Sequence, residues 1–495
     1  MFHSKNARYL VWLAAALVIA AGLNRYLYDP TFWLDEAFVS ASLRSPTFES
    51  IFAPHAYGQF FPRFYFSLLA VFRDTFGYHE WVLRLIPFTC FVIATLIWAR
   101  ILSRAARSNL AANFLAAALL LGTYYWMDQA IQLKQYTFDV MFALLPFLLK
   151  DNALAKLFTG EKKPPFYIYL LAVPCALSYT YPIALGGRML GWLILNLPQR
   201  SSIRYKRVAV FGIILVASLA TIWLIDVRFN FTDIGGTRRF WSACILIECS
   251  VGDPWCWGNI LARFLWGWHG RYSYIVPAII APFQLIGIYS IARRLITRRS
   301  KNQIGTHYSL ALGSLVVLAG AIAASLIASY PICAGRLTLF VQIHTQIVAI
   351  AGLRFALVWF RKNRTAKILI VVCITVILFG TVRAYVAFVQ KEPHQNMRPF
   401  YSKIDPTISN TIWVHSCSAT QVKSLSTPLP VENILFSPNE KPEPGQRVWV
   451  IWTHLQNEEC RGSLDTMLSQ MKDLQMVEQG EERTLAIGEY CCVPK

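Results

Sequence analysis

The stretch Tyr9-Leu10-Val11-Trp12-Leu13-Ala14-Ala15-Ala16-Leu17-Val18-Ile19-Ala20-Ala21-Gly22-Leu23, preceded by Lys5 and Arg8, decides the fold. A basic flank and an apolar core also describe a secretory signal peptide. Here the Ala-rich run leads into aromatic residues and not into a small-residue cleavage site, and many runs of equal length follow it. Such runs match the roughly 20 residues of helix that cross a hydrocarbon layer of about 30 Å. Barrel strands would instead be short and alternating. With 55% hydrophobic residues in 495 and a mean hydropathy of +0.42, the chain is too apolar for a soluble protein, whose elements bury one face each.

The formal charge of +20 is distributed in a way that argues against nucleic acid as a partner. Basic residues cluster between apolar runs: Arg100, Arg104 and Arg107; Lys162 and Lys163; Arg200, Arg204, Lys206 and Arg207. Further clusters are Arg293, Arg294, Arg298, Arg299 and Lys301, then Arg361, Lys362, Arg364 and Lys367. They fall in alternate loops, as the positive-inside rule requires, so the charge reports topology. Taking the clusters as cytoplasmic gives about eleven spans, near 9–25, 82–100, 109–126, 136–150, 166–180, 182–197, 208–225, 273–292, 307–329, 336–358 and 367–388. An odd count puts the N-terminus in the cytoplasm and the C-terminus outside, as in a multi-pass protein of the plasma (inner) membrane.

The segment from Phe60 to Phe76, bracketed by Arg63, Arg73 and Asp74, would reverse every later loop if it spanned. It is expected as an amphipathic helix along the outer surface, and Glu36 to Phe52 looks similar. The chain is thus expected as a transmembrane domain over 1–388 and an external, periplasmic domain over 389–495. In the latter, Thr411 to His415 and Arg447 to Trp452 read as strands, Ser463 to Leu474 has helical spacing, and Pro428, Pro430, Pro438, Pro442 and Pro444 mark the loop between, which suits a small α/β domain. Four of the eleven cysteines (Cys90, Cys175, Cys333, Cys373) lie in or beside apolar runs as small hydrophobes. The other seven (Cys244, Cys249, Cys256, Cys417, Cys460, Cys491, Cys492) fall on the oxidising side, where disulfides persist. A zinc site competes, but no CxxC pair with a His at finger spacing is present.

Trp33-Leu34-Asp35-Glu36, just beyond the first span, places adjacent carboxylates near a bilayer. Partial burial gives such acids the raised pKa of a general base, and the competing explanation is an interfacial helix start with acids in its first turn. Gln132-Leu133-Lys134-Gln135-Tyr136 offers a cation flanked by an aromatic, fit for a lipid phosphate or for plain snorkelling. Tyr330-Pro331 and Gly335-Arg336 stand at a turn between spans. Arg336 has no acid nearby in sequence and is satisfied either by a bidentate phosphate or by backbone carbonyls. Weaker candidates are His269 and Arg271 in the Trp-rich run Trp266 to Tyr272, which an aromatic belt also explains, and His55 and Gln59 in the first loop.

In combination, the acidic pair, Gln59-x-x-Pro62, Gly77 to Arg84 leading into the second span, Lys134-x-Tyr136 and the Tyr-Pro...Gly-Arg turn resemble membrane glycosyltransferases of the GT-C fold. The protein O-mannosyltransferase and lipid A aminoarabinose transferase group (glycosyltransferase families 39 and 83) is the most similar. The resemblance covers about residues 8–390. It implies a polyprenyl-phosphate sugar donor entering from the bilayer, with the acidic pair acting outside on the acceptor, Asp35 as base and Glu36 in support. Lys134 stands where many relatives have Arg, keeping the charge without the fork. Some relatives hold a divalent cation, for which His55 and His269 would be the candidate ligands.

The expected activity is therefore inverting transfer of a hexose or pentose from a polyprenyl-phosphate donor to a glycan, lipid or protein acceptor. No nucleotide-binding Gly-rich loop is present. The rival is a transporter or flippase for lipid-linked sugars, which would concentrate its polar groups near the membrane midplane. The candidates here cluster at the outer face. A scaffold acting through the external domain is a third possibility.

Overall fold

The structure is a computed structural model that describes residues 5–44, 51, 62–159, 166–196, 204–227, 242–250, 252–266, 275–297, 306–328, 330–332, 338–390, 396–425, 429–437, 439–453, 462, 465–480 and 483–491. The chain forms two compact units. One comprises Met1–Asn24, Phe60–Phe66 and Ile86–Lys391; the other comprises Arg25–Gln59, Ser67–Leu85 and Glu392–Lys495.

The first unit is a helical bundle. Among the described residues seven helices are long and apolar enough to cross a membrane: Arg8–Tyr28, Glu80–Ala106, Tyr205–Asp226, Ala278–Thr297, His307–Ile327, Leu339–Trp359 and Arg364–Gln390. An eighth span is available if Leu110–Leu121 and Tyr124–Ile131, bent by 45°, count as one. The protein is a polytopic helical membrane protein. Exposed side chains such as Ile213, Val216 and Phe379 would be unfavourable in water and are at home against acyl chains. Helix Leu339–Trp359, by contrast, is buried along most of its length.

Two of the expected spans are shorter than the apolar run suggests. Residues 136–150 form the 13-residue helix Tyr136–Leu148. Pro146 lies in its last turn, and the next carbonyls are taken by arginine: Arg104 Nη1 donates to the Phe147 and Leu148 carbonyls, both at 2.9 Å. Residues 166–180 form an 11-residue 3-10 helix, Phe166–Ala176, with Pro174 inside it. A turn then leads into the 16-residue helix Tyr181–Asn196. Pattern gives the apolar run, whereas proline and carbonyl capping set where the helix stops.

Close packing in this unit depends on glycine. A Cβ on Gly191 would lie 2.5 Å from Gly313 N and 2.6 Å from its Cα, so helices Tyr181–Asn196 and Thr306–Ala328 touch backbone to backbone. Without a hydrophobic drive between helices in lipid, such small-residue contact is what holds a bundle together.

The second unit contains a five-stranded mixed sheet of order β2-β1-β3-β5-β4, with β1 (Thr411–Val414), β2 (Asn433–Phe436), β3 (Arg447–Thr453), β4 (Met471–Gly480) and β5 (Arg483–Tyr490). β1 pairs in parallel with both β2 and β3, and β5 is antiparallel to β3 and β4. Alternation along β1 and β3 fills both faces: Ile412, Val414, Trp449 and Ile451 on one, Trp413, Val448, Val450 and Trp452 on the other. The expected helix over Ser463 to Leu474 is corrected: residues 465–468 are helical, but Met471 already belongs to β4. Pairing with β5 overrides a local pattern that is ambiguous in so polar a stretch.

Of the cysteines, Cys249 and Cys256 are joined to each other, and Cys244 and Cys417 each belong to a separate disulfide. The Cys491 thiol lies 3.2 Å from the Gln470 carbonyl.

Candidate active site

In the second unit the sequence builds an anchored helix start around the acidic pair. Helix Arg8–Tyr28 ends at Asp29, which takes a left-handed φ of 44° that Asp tolerates, and Pro30 cannot continue it. After residues 30–33 the helix Leu34–Ser42 begins, with both acids in its first turn. There they face the positive end of the helix dipole. Glu36, three residues into the helix, accepts from the Trp33 backbone N–H at 3.3 Å, one half of a capping box.

The two acids then part company. Glu36 is buried and forms a forked ion pair with Arg84: Nε to Oε1 is 3.1 Å and Nη2 to Oε2 is 2.6 Å, with each side chain 2% exposed. The same guanidinium donates to the Thr31 carbonyl at 3.2 Å and to the Pro30 carbonyl, and lies 4.9 Å from the centre of the Phe32 ring. Asp35, the next residue back on the helix, is half-buried. Sequence reasoning named the Gly77 to Arg84 segment but gave Arg84 no role; its signal is an arginine at the head of a long apolar run, one helical turn after Glu80.

Asp29 is held by Arg398 at 3.1 Å, and burial outweighs that attraction, so its carboxyl is raised above the ordinary range. His415, at the end of β1, is lowered by burial.

In the first unit, Lys134 and Tyr136 are both buried, and the Tyr65 hydroxyl donates to the Lys134 carbonyl at 3.1 Å. Tyr330 lies within electrostatic reach of Tyr136 and of Asp139. Asp139 accepts from Ser178 Oγ at 2.5 Å, and Thr180 Oγ1 donates to the Asp139 carbonyl at 2.7 Å. Beside these lies an unanticipated pair: Asp226 accepts from the Arg63 backbone N–H at 3.0 Å, with Arg63 Nε 3.4 Å from its other oxygen. The Tyr179 hydroxyl is within electrostatic reach of Asp226, Asp139 and Arg63. A lone acid ending the run Trp223-Leu224-Ile225 and a lone arginine opening an amphipathic helix were the available signals.

His55, Gln59, His269, Arg271 and Arg336 lie outside the described residues. Among the described residues no group of three or more His, Cys, Asp or Glu is placed to hold a metal ion.

No family model and no curated protein matches this chain. Among solved structures, it is similar to ArnT from Cupriavidus metallidurans in the apo state, at 11% identity and a TM-score of 0.34, over 97% of each chain. It is also similar to ArnT of that organism bound to undecaprenyl phosphate, at 12% identity and a TM-score of 0.34, over 98% of each chain. ArnT is a lipid A aminoarabinose transferase of GT-C fold, the group the sequence resembles. Likeness at this level assigns neither activity nor ligand to the present chain.

Proposed function

We propose that this protein is an inverting glycosyltransferase that uses a polyprenyl-phosphate sugar on the external face of the membrane. The observation that carries the proposal is the anchored acidic pair: both acids stand in the first turn of helix Leu34–Ser42, where the buried ion pair of Glu36 with Arg84 fixes the helix start and Asp35 is half-buried beside it. Asp35 takes the proton of an acceptor hydroxyl as that oxygen attacks the anomeric carbon. The bond between that carbon and the phosphate oxygen breaks, and the electron pair leaves with the polyprenyl phosphate. A positioned base contributes about 10²–10⁴ in rate.

Lys134 and Arg336 are proposed to balance charge growing on the departing phosphate, with Tyr136 and Tyr330 beside the donor. His55, Gln59, His269 and Arg271 are proposed as further substrate contacts. The acceptor is a glycan, a lipid or a protein.

The test uses purified, detergent-solubilised protein with polyprenyl-phosphate hexose and pentose donors, and reads released polyprenyl phosphate together with glycosylated acceptor. Lys134→Ala and Arg336→Ala are expected to lower donor turnover at least tenfold while the protein stays folded, by the loss of about 1.4 kcal/mol or more of charge stabilisation. Wild-type turnover by both variants would remove the phosphate assignment.

The proposed orientation places the N-terminus in the cytoplasm and residues 389–495 outside. Reporters fused after Arg204, Arg299 and Lys362 are expected to be cytoplasmic, and those after Asp253 and Asn439 external. An external reporter after Arg299 would overturn that orientation.

A further inference from the structure

Residues 30–33, ahead of the helix that carries the acidic pair, are buried or half-buried, and a buried backbone must find partners for its N–H and C=O groups. In residues 30–32 those partners include side chains from distant parts of the chain. Arg84 takes the Pro30 and Thr31 carbonyls. Asn396 Oδ1 accepts the Thr31 N–H at 3.1 Å, and Thr31 Oγ1 in turn accepts the Met397 N–H at 2.8 Å. Gln421 Nε2 reaches the Phe32 carbonyl at 3.5 Å, while its Oε1 accepts from Thr453 at the end of β3 at 2.9 Å. Glu36 takes the Trp33 N–H.

The far end of the helix is tied in the same way. Leu34–Ser42 packs against helix Ser416–Lys423. Just beyond it the Tyr78 hydroxyl donates to the Ser424 carbonyl at 3.2 Å, and Arg44 Nη2 donates to the Leu425 carbonyl at 3.3 Å.

We propose that the C-terminal domain works as a clamp on the Asp35 helix, with Asn396 as its principal positioning residue. The domain's part in the reaction is then to fix where the Asp35 carboxylate stands, whatever else it recognises. A misplacement of about 1 Å at a reacting group lowers a rate by about 10²-fold, so a hydrogen bond at Thr31, three residues ahead of the helix start, has leverage over the chemical step. The inference rests on the transfer reading for Asp35 and adds a role for residues 392–495.

The experiment compares full-length wild type, Asn396→Ala, Asn396→Asp and Gln446→Ala. Asn396→Asp keeps an acceptor for the Thr31 N–H. Gln446→Ala removes a hydrogen bond to Thr411 Oγ1 (3.0 Å) inside the same domain without touching residues 30–36. Asn396→Ala is expected to lower kcat by about 10²-fold with little change in donor KM, and Asn396→Asp to stay within about tenfold of wild type. Hydrogen exchange at the amides of residues 31–37 should quicken in Asn396→Ala and stay at the wild-type rate in Gln446→Ala. Unchanged exchange in Asn396→Ala, or equal loss of kcat in Asn396→Ala and Gln446→Ala, overturns the clamp. If wild type transfers no sugar from any donor, the transfer reading falls, and the exchange measurement still decides whether Asn396 holds the helix.

Discussion

Asp35→Asn is expected to insert in the membrane, fold, bind donor and transfer no measurable sugar. Asparagine keeps the size and most of the hydrogen bonding of aspartate, but it cannot take a proton from an attacking hydroxyl. The loss should therefore fall on kcat, by about 10²–10⁴-fold, and not on donor affinity. The thermal midpoint in detergent should be close to wild type, because asparagine keeps the side chain's size and the buried pair of Glu36 with Arg84 still anchors the helix. Transfer at the wild-type rate by Asp35→Asn would end its assignment as base. Lipid movement without any transfer in wild type would move the protein to the flippase class.

Arg84→Ala should produce the largest loss of stability. It leaves the Glu36 carboxylate, 2% exposed, without its counter-charge, and strips the Pro30 and Thr31 carbonyls of their shared donor. Breaking a buried pair from one side typically costs about 3–5 kcal/mol, much of it the penalty of the stranded charge. Arg84→Lys should recover only part of this, since an ammonium cannot serve both carboxylate oxygens and two carbonyls from one plane. The double variant Arg84→Met with Glu36→Leu should be milder than Arg84→Ala, because no charge is left buried. The measurement is thermal or denaturant unfolding in detergent. An Arg84→Ala protein as stable as wild type would show that the pair contributes nothing to the fold.

The bundle was legible where the sequence signal is the physical cause. Runs such as 9–25 and 367–388 are long and apolar because a hydrocarbon layer demands it, and both stand as helices of spanning length. Segments 136–150 and 166–180 carry the same composition, but their ends are set by Pro146, by Arg104 on the last carbonyls and by Pro174, which hydropathy does not weigh. The acidic pair could be seen as a motif, and its two members could not be told apart. What separates them is Arg84, and nothing local links it to Glu36 across 48 positions. The same holds for Arg63 and Asp226, separated by 163. Nor did composition announce that residues 25–59 and 67–85 would join the C-terminal sheet in one unit, since that union is made by contacts between residues hundreds of positions apart, among them the Thr31–Asn396 hydrogen bond.

That union has a consequence for how the protein is made. Thr31 and Asn396 lie 365 residues apart. At about 5–20 residues per second, the first loop leaves the ribosome roughly 20–70 s before its partner exists. During that interval the backbone of residues 30–33 has only part of its final set of partners, and the acidic helix is held by Arg84 without Asn396 and Gln421. A chain interrupted after Arg364–Gln390 would hold the long apolar helices described above and still lack the hand that sets Asp35, so competence waits until the residues around Asn396 and Gln421 have been made.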